Sequence, residues 1–192
     1  MAWSDHINAM SSCISKRCGV IKRVKHYIPK DTLIMLANAI VMPNFDYCNT
    51  VWSNCSVELS NSLQILHNRL ARIILSADIR TPIDDMMSTL HWNKLNDRWF
   101  NYMATLTFKC MKGMAPGYLS SQFTFMHDTH SKGTRSQTNF ALFEPPWKIN
   151  AGKRTFHSRA AKLWNSLPAD SRCNFKSMSI AQFKQLFLIK PV

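Results

Sequence analysis

The sequence predicts a mainly α-helical protein, because apolar residues recur at helical spacing and prolines and glycines separate the segments. We expect a helical bundle, then an irregular segment with at most one short strand pair, then two C-terminal helices. The corresponding domains are residues 1–125, a connector over 126–155 and a helical extension over 156–192. No period of about 20–50 residues recurs, which argues against a solenoid.

The first predicted helix has the clearest periodicity. Its inward positions are three, four and seven residues apart, namely Ile7, Met10, Ile14, Ile21 and Val24. Ser4 or Asp5 can cap its start. Pro29 ends this helix or opens the next, a buried helix over residues 30–42. We expect Pro43 to stop that second helix, because proline lacks an N–H and clashes with the preceding turn.

The remaining helices are predicted in the same way. They cover residues 56–77, 82–90, 94–112, 116–123, 156–165 and 179–188. Residues 44–52 are short, aromatic and turn-like, and Gly113 suits a helix C-cap. Within the polar connector, residues 140–143 predict one short strand.

The chain is strongly basic, with 24 Lys and Arg against 11 Asp and Glu and a net charge of +13. Such a charge favours a polyanionic partner, usually nucleic acid and less often an anionic membrane, over a merely basic surface. Six cationic residues lie between Lys16 and Lys30 with no acid before Asp31, which favours phosphate binding over a solvated helix face. The predicted nucleic-acid-binding residues are Lys16, Arg17, Lys22, Arg23, Lys25, Arg69 and Arg72.

No pattern in the sequence indicates a catalytic or metal site. Two-metal enzymes need clustered carboxylates, yet only Asp84 and Asp85 are adjacent, and behind Pro82 they suit a helix start better than a metal. The G-x-S-x-G and phosphate-loop motifs are missing, and the seven histidines are dispersed.

The cysteines and tryptophans are predicted to be structural. The six cysteines form no C-x-x-C pair, so reduced, packed thiols are favoured over a zinc site. Trp52, Trp92, Trp99 and Trp164 have the spacing of core residues, which we favour over base-stacking positions. There is no secretory signal and no apolar run of about 20 residues. We therefore expect a nuclear or cytoplasmic protein that is not secreted and has no membrane partner.

Short motifs follow one another along nearly the whole chain. They are residues 3–7 (WSDHI), 14–21 (ISKRCGVI), 36–48 (LANAIVMPNFDYC), 64–74 (QILHNRLARII), 90–98 (LHWNKLNDR), 113–119 (GMAPGYL), 160–168 (AAKLWNSLP) and 179–187 (SIAQFKQLF). Arg135 and Ser136, and residues 152–156 (GKRTF), continue the series. In this order they resemble the C-terminal region, thumb and downstream, of jockey-type non-LTR retrotransposon reverse transcriptases.

The resemblance implies a thumb-like bundle that follows the aromatic-x-Asp-Asp box of the polymerase palm. In that family the thumb holds the template–primer duplex by its backbone, so it implies RNA–DNA or DNA duplex phosphates, and the palm and fingers of a parent polymerase, as partners. The polymerase aspartates have no matching positions here. We therefore expect no cofactor and no enzymatic activity in this chain, with Mg²⁺ belonging to the parent enzyme's palm.

Three interpretations stay open. The chain is either a non-catalytic fragment of an RNA-directed DNA polymerase that binds nucleic acid, or a structural relic without independent activity. If the upstream coding sequence is intact, it is instead part of an active reverse transcriptase.

Overall fold

The chain is mainly helical, which confirms the predicted fold class. The computed structural model describes residues 3–129 and 140–187. Its first helices are α1 (Ser4–Val24), α2 (Lys30–Ile40), α3 (Met42–Asp46), α4 (Asn49–Trp52), α5 (Val57–Leu75), α6 (Ile83–Leu90) and α7 (Leu95–Met111). They continue with α8 (Gly117–Ser120), α9 (Met126–Thr129), α10 (Asn150–Lys153), α11 (Phe156–Ser166), α12 (Ala169–Cys173) and α13 (Ile180–Phe187).

The chain divides into two compact units. The described residues of the first unit are 3–99, and those of the second are 100–129 and 140–187. The division falls inside α7, whereas the predicted domains divide at 125 and 155. A compact unit is not by itself a domain that folds alone, so the predicted domain boundaries stay predictions.

The first unit has one continuous apolar core. On α1 it buries Ile7, Ile14, Cys18 and Ile21, and on α5 it buries Leu63, Leu70, Ala71 and Ile74. Trp52 and Trp99 meet edge-on within it, with ring centroids 5.2 Å apart. Burying one such large apolar side chain stabilises the fold by about 2 kcal/mol. The helical periodicity of the sequence therefore identified this core correctly.

The second unit has a smaller, aromatic core. Phe108 on α7 stacks on Phe183 of α13, with ring centroids 4.3 Å apart and an interplanar angle of 18°. Trp164 on α11 meets Phe175 edge-on at 5.4 Å. Ala161, which is fully buried, lies in the same cluster. Aromatic pairs of this kind contribute about 1 kcal/mol beyond their buried area.

The starts of two helices correct the sequence predictions. Trp3 is the N-cap of α1 and makes no side-chain cap bond, so neither Ser4 nor Asp5 caps that helix. Asp5 lies in its first turn, where a carboxylate favours the positive end of the helix dipole. The second helix ends at Ile40, before Pro43, as predicted, but Pro43 then lies in the first turn of α3, where its missing N–H costs no hydrogen bond. Residues 44–52 are accordingly short helices, with Cys48 in the left-handed conformation between them.

The connector is less irregular than predicted. A single antiparallel bridge joins Phe125 to Leu142, so the predicted strand is reduced to one paired position in the described part of the chain. The one-turn helices α9 and α10 were not predicted. Arg135, Ser136 and the predicted helix end at Leu188 lie outside the described residues.

Candidate nucleic-acid interface

Helices α1 and α5 pack side by side and are parallel. Near their starts, the indole N–H of Trp3 donates to Asn54 Oδ1 at 2.8 Å. Near their ends, Lys25 Nζ donates to Ser76 Oγ at 3.3 Å. Two contacts at opposite ends, in the same order, fix the direction of the pair. The predicted cationic residues therefore lie on two adjacent, parallel helices.

Three of the predicted residues on α1 are exposed cations, namely Lys16, Lys22 and Arg23. None of them forms an ion pair with another described residue. Lys16 and Arg23 are seven residues apart, so they lie on one side of α1, and that side is opposite the buried stripe. This side of α1 is therefore open to an anionic partner.

The side chain of Arg17 forms hydrogen bonds within the fold and does not belong to the exposed side of α1. Its Nη1 donates to the carbonyl oxygen of Ile40 at 2.6 Å and to Asn44 Oδ1 at 3.0 Å. The Asn44 amide itself donates to the carbonyl oxygens of Ile40 and Val41. Arg17 thus satisfies the end of α2 and closes the turn into α3. A guanidinium used in this way is a poor candidate for a phosphate ligand.

The two arginines predicted on α5 differ from each other. Arg69 is exposed, and its positive charge acts on Cys18 of α1: burial raises the pKa of the Cys18 thiol, and the guanidinium charge partly opposes that increase. Arg69 therefore lies close to the Cys18 side of α1. Arg72 is half-buried, and its Nη2 reaches the carbonyl oxygen of Ile79 at 3.5 Å. Lys25 is likewise half-buried against Ser76.

Many of the motif residues that carry the family resemblance make contacts inside the fold. Arg98 donates from Nε and Nη2 to the two carboxylate oxygens of Asp46, at 2.5 and 2.6 Å. The adjacent Trp99 donates its indole N–H to the carbonyl oxygen of Phe45 at 3.0 Å. A bidentate ion pair between residues 52 positions apart, and a buried hydrogen bond beside it, thus join these two parts of the chain.

A second internal contact links the α5 motif to the start of α7. Gln64 accepts from the backbone N–H of Leu95 at 2.8 Å, and its amide nitrogen donates to Asn68 Oδ1 at 2.7 Å. The same amide nitrogen lies 3.4 Å from Nδ1 of His67. Burial lowers the pKa of His67 to about 4, with a further contribution from the charge of Arg98. His67 is therefore neutral at physiological pH and part of the core.

The late motif has the same structural character in the second unit. Trp164 donates its indole N–H to the carbonyl oxygen of Phe140 at 2.8 Å. Asn165 accepts from the backbone N–H of Leu142 and donates to its carbonyl oxygen. The side chain of Asn165 therefore forms with the backbone of Leu142 the two hydrogen bonds that a neighbouring strand would otherwise form. Trp164, Trp52, Trp92 and Trp99 are each at most 5 % exposed, which confirms that they are core residues.

The acidic pair and the cysteines give no indication of catalysis. Asp84 and Asp85 lie in the first turn of α6, as predicted, and Asp84 forms an exposed ion pair with Lys94 at 2.7 Å. All six cysteines are free, and burial raises the pKa of Cys110. Within the described ranges, no three His, Cys, Asp or Glu residues are grouped so that they could hold a metal ion. None of the described helices is both long and apolar enough to span a membrane.

The sequence interpretation missed where most of the net charge lies. Residues 1–99 have 11 Lys and Arg against 8 Asp and Glu, a net charge of +3. Residues 100–192 have 13 against 3, a net charge of +10. A count of acids along the chain would have found this, because the imbalance comes from missing acids and not from extra bases.

The comparisons give no family. No family model matches the chain, and no significant similarity to a curated protein or to a solved structure is found.

Proposed function

We propose that this chain is a non-catalytic nucleic-acid-binding segment of reverse-transcriptase origin, which contacts duplex backbone phosphates through the outer side of α1. Lys16, Lys22 and Arg23 of α1, with Arg69 of the neighbouring helix α5, are the proposed contacts. The observation that supports it is the exposure of these side chains without an acidic partner among the described residues. Cations of this kind release counterions on binding and confer no sequence preference.

The proposed origin is supported by the order of the sequence motifs. Residues of these motifs form the Asp46–Arg98 ion pair, the bond from the Leu95 N–H to Gln64 and the indole hydrogen bond of Trp164. The motifs therefore reflect requirements of this fold. A segment that is separated from a catalytic centre still needs these contacts, because they stabilise the segment itself. The origin and the binding role are accordingly separate parts of the proposal.

Binding of the full chain to a labelled RNA–DNA hybrid duplex, measured by fluorescence anisotropy between about 50 and 200 mM salt, tests the binding role. Each neutralised phosphate contributes about −0.9 to the slope of log K against log salt. We expect the double variant Lys16→Ala, Arg23→Ala to make that slope less negative by about 2 and to bind more weakly at every salt concentration.

The matched control is Arg80→Ala, Lys94→Ala, which removes two exposed cations of the same unit that are not part of α1 or α5. This control should leave the slope nearly unchanged. An affinity that does not depend on salt, or an equal loss in the control variant, contradicts the assignment to α1.

A primer-extension assay tests the non-catalytic part of the proposal. The purified chain, with Mg²⁺ and a primed homopolymer template, should incorporate no nucleotide. Incorporation that rises in proportion to protein concentration, and that stops when the metal is chelated, would show a polymerase activity and overturn the proposal.

A further inference from the structure

A second basic surface lies in the second unit, around α10 and α11. From residue 145 to residue 169 there are five Lys and Arg and no acid. Lys148, Lys153, Arg154 and Lys162 are exposed. On α11 the outward side carries Arg159, Lys162 and Ser166, three or four residues apart, opposite the buried Ala160, Ala161 and Trp164. A stretch this long without an acid is far from the mixed charge of an ordinary helix surface.

An aromatic side chain stands at the start of this surface. Trp147 is 38 % exposed, and it is the one exposed tryptophan of the six. Its indole lies against Gly152, where an added Cβ would come within 2.5 Å of ring atoms Cδ2 and Cε3. Gly152 is buried under the ring. The contact brings Lys148, which follows the tryptophan, to the same surface as Lys153, which follows the glycine.

We propose that Trp147 and the cations of α10 and α11 form a binding surface for single-stranded nucleic acid. Lys148, Lys153 and Lys162 contact backbone phosphates, and one base stacks on the exposed part of the Trp147 ring. This inference extends the proposed function to a different unit and a different ligand form. It uses no residue of α1 or α5, so either proposal can fail without the other.

The chemistry favours a single strand over a duplex and over a membrane. Stacking on a protein aromatic requires an unpaired base, because the bases of a duplex already stack on one another. Insertion into a lipid interface requires a continuous apolar helix face. The outward side of α11 has no large apolar residue among its described positions, and Ile149 is the nearest exposed one in sequence to Trp147.

The test is fluorescence anisotropy of the full chain with a labelled oligothymidylate, compared with a duplex of the same number of phosphates. We expect Trp147→Ala to weaken binding to the oligothymidylate about tenfold, while its salt slope stays constant. Trp147→Phe should keep most of the affinity, since a phenyl ring also stacks. Lys153→Ala, Lys162→Ala should make the salt slope less negative by about 1.4, at about 0.7 for each phosphate contact of a single strand.

Two controls make the result decisive. Lys176→Ala, Lys184→Ala removes two exposed cations of the same unit and should leave the slope nearly unchanged. Lys16→Ala, Arg23→Ala should weaken duplex binding and leave oligothymidylate binding intact. The proposal is overturned if Trp147→Ala binds like the parent chain while circular dichroism shows an intact fold. Equal loss in the Lys176 and Lys184 control also overturns it, as does binding of phosphatidylserine vesicles in place of the oligonucleotide.

Discussion

The two compact units differ in the make-up of their cores and in their net charge. In the first unit, side chains such as Gln64, Asp46 and Arg98 connect helices that are distant in sequence. In the second unit, Asn165 makes a similar connection to Leu142, and the core is a smaller cluster of aromatic side chains around Trp164 and Phe175. The first unit also nearly balances its charges, whereas the second is strongly cationic. The motif residues that form these contacts make up the framework. Candidate binding residues such as Lys16 and Lys162 also lie in the motifs, but they are exposed and form none of these contacts.

The largest expected effect comes from removing the aromatic centre of the second unit. Trp164 is 1 % exposed and donates to the carbonyl oxygen of Phe140. Trp164→Ala should lower the free energy of unfolding by about 4 kcal/mol, since a large cavity and an unpaired carbonyl remain. Urea denaturation measures the loss, and hydrogen exchange should show reduced protection in α11 and α13. Trp147→Ala, at an exposed site, is the matched control. Unchanged protection in α11 after Trp164→Ala contradicts the proposed role of the cluster.

A smaller effect, specific to the first unit, comes from acid. The pKa of His67 is about 4 in the folded chain and about 6.5 in an unfolded one. Between these values the unfolded state binds the proton more tightly, so stability is complete above about pH 6.5 and falls as the pH decreases towards 4. The full loss is about 3 kcal/mol.

Urea denaturation of the full chain at several pH values measures this dependence. His67→Phe should flatten the curve between about pH 4 and 6.5, whereas His26→Asn, at an exposed position, should not change its shape. A His67→Phe curve parallel to that of the parent chain would assign the acid sensitivity to other groups.

The smallest of the three effects distinguishes a framework ion pair from a surface one. Asp46 and Arg98 are 20 % and 27 % exposed, whereas Asp84 and Lys94 are 63 % and 47 % exposed. Asp46→Ala should lower the free energy of unfolding by about 2 kcal/mol, because it leaves a partly buried guanidinium without its carboxylate. Asp84→Ala should change it by less than about 0.5 kcal/mol. Equal losses in the two variants would mean that the motif ion pair has no special structural role.

The elements that the sequence predicted well are those with local causes. The stripe from Ile7 to Ile21 and the start of the helix predicted from residue 56, where Ser56 Oγ accepts from Leu59 N at 3.4 Å, depend only on neighbouring residues. The contacts that could not be predicted are between distant segments. Arg17 belongs to a basic run in the sequence, yet in the fold it binds Ile40 and Asn44.

The candidate sites were also predictable only where their causes are local. The exposure of Lys16, Lys22 and Arg23 follows from helical periodicity and was predictable from the sequence. The contact between Trp147 and Gly152 depends on the bend at residues 148 and 149 and on the one-turn helix α10, which periodicity does not describe. Only the absence of acids around it was visible in the sequence.

The cap that Gln64 provides for α7 has a consequence for how the chain tolerates change. The backbone N–H at the start of α7 donates to a side chain 31 residues earlier in the chain. A substitution at position 64 therefore acts at the start of a distant helix, where it leaves the N–H of Leu95 without this acceptor.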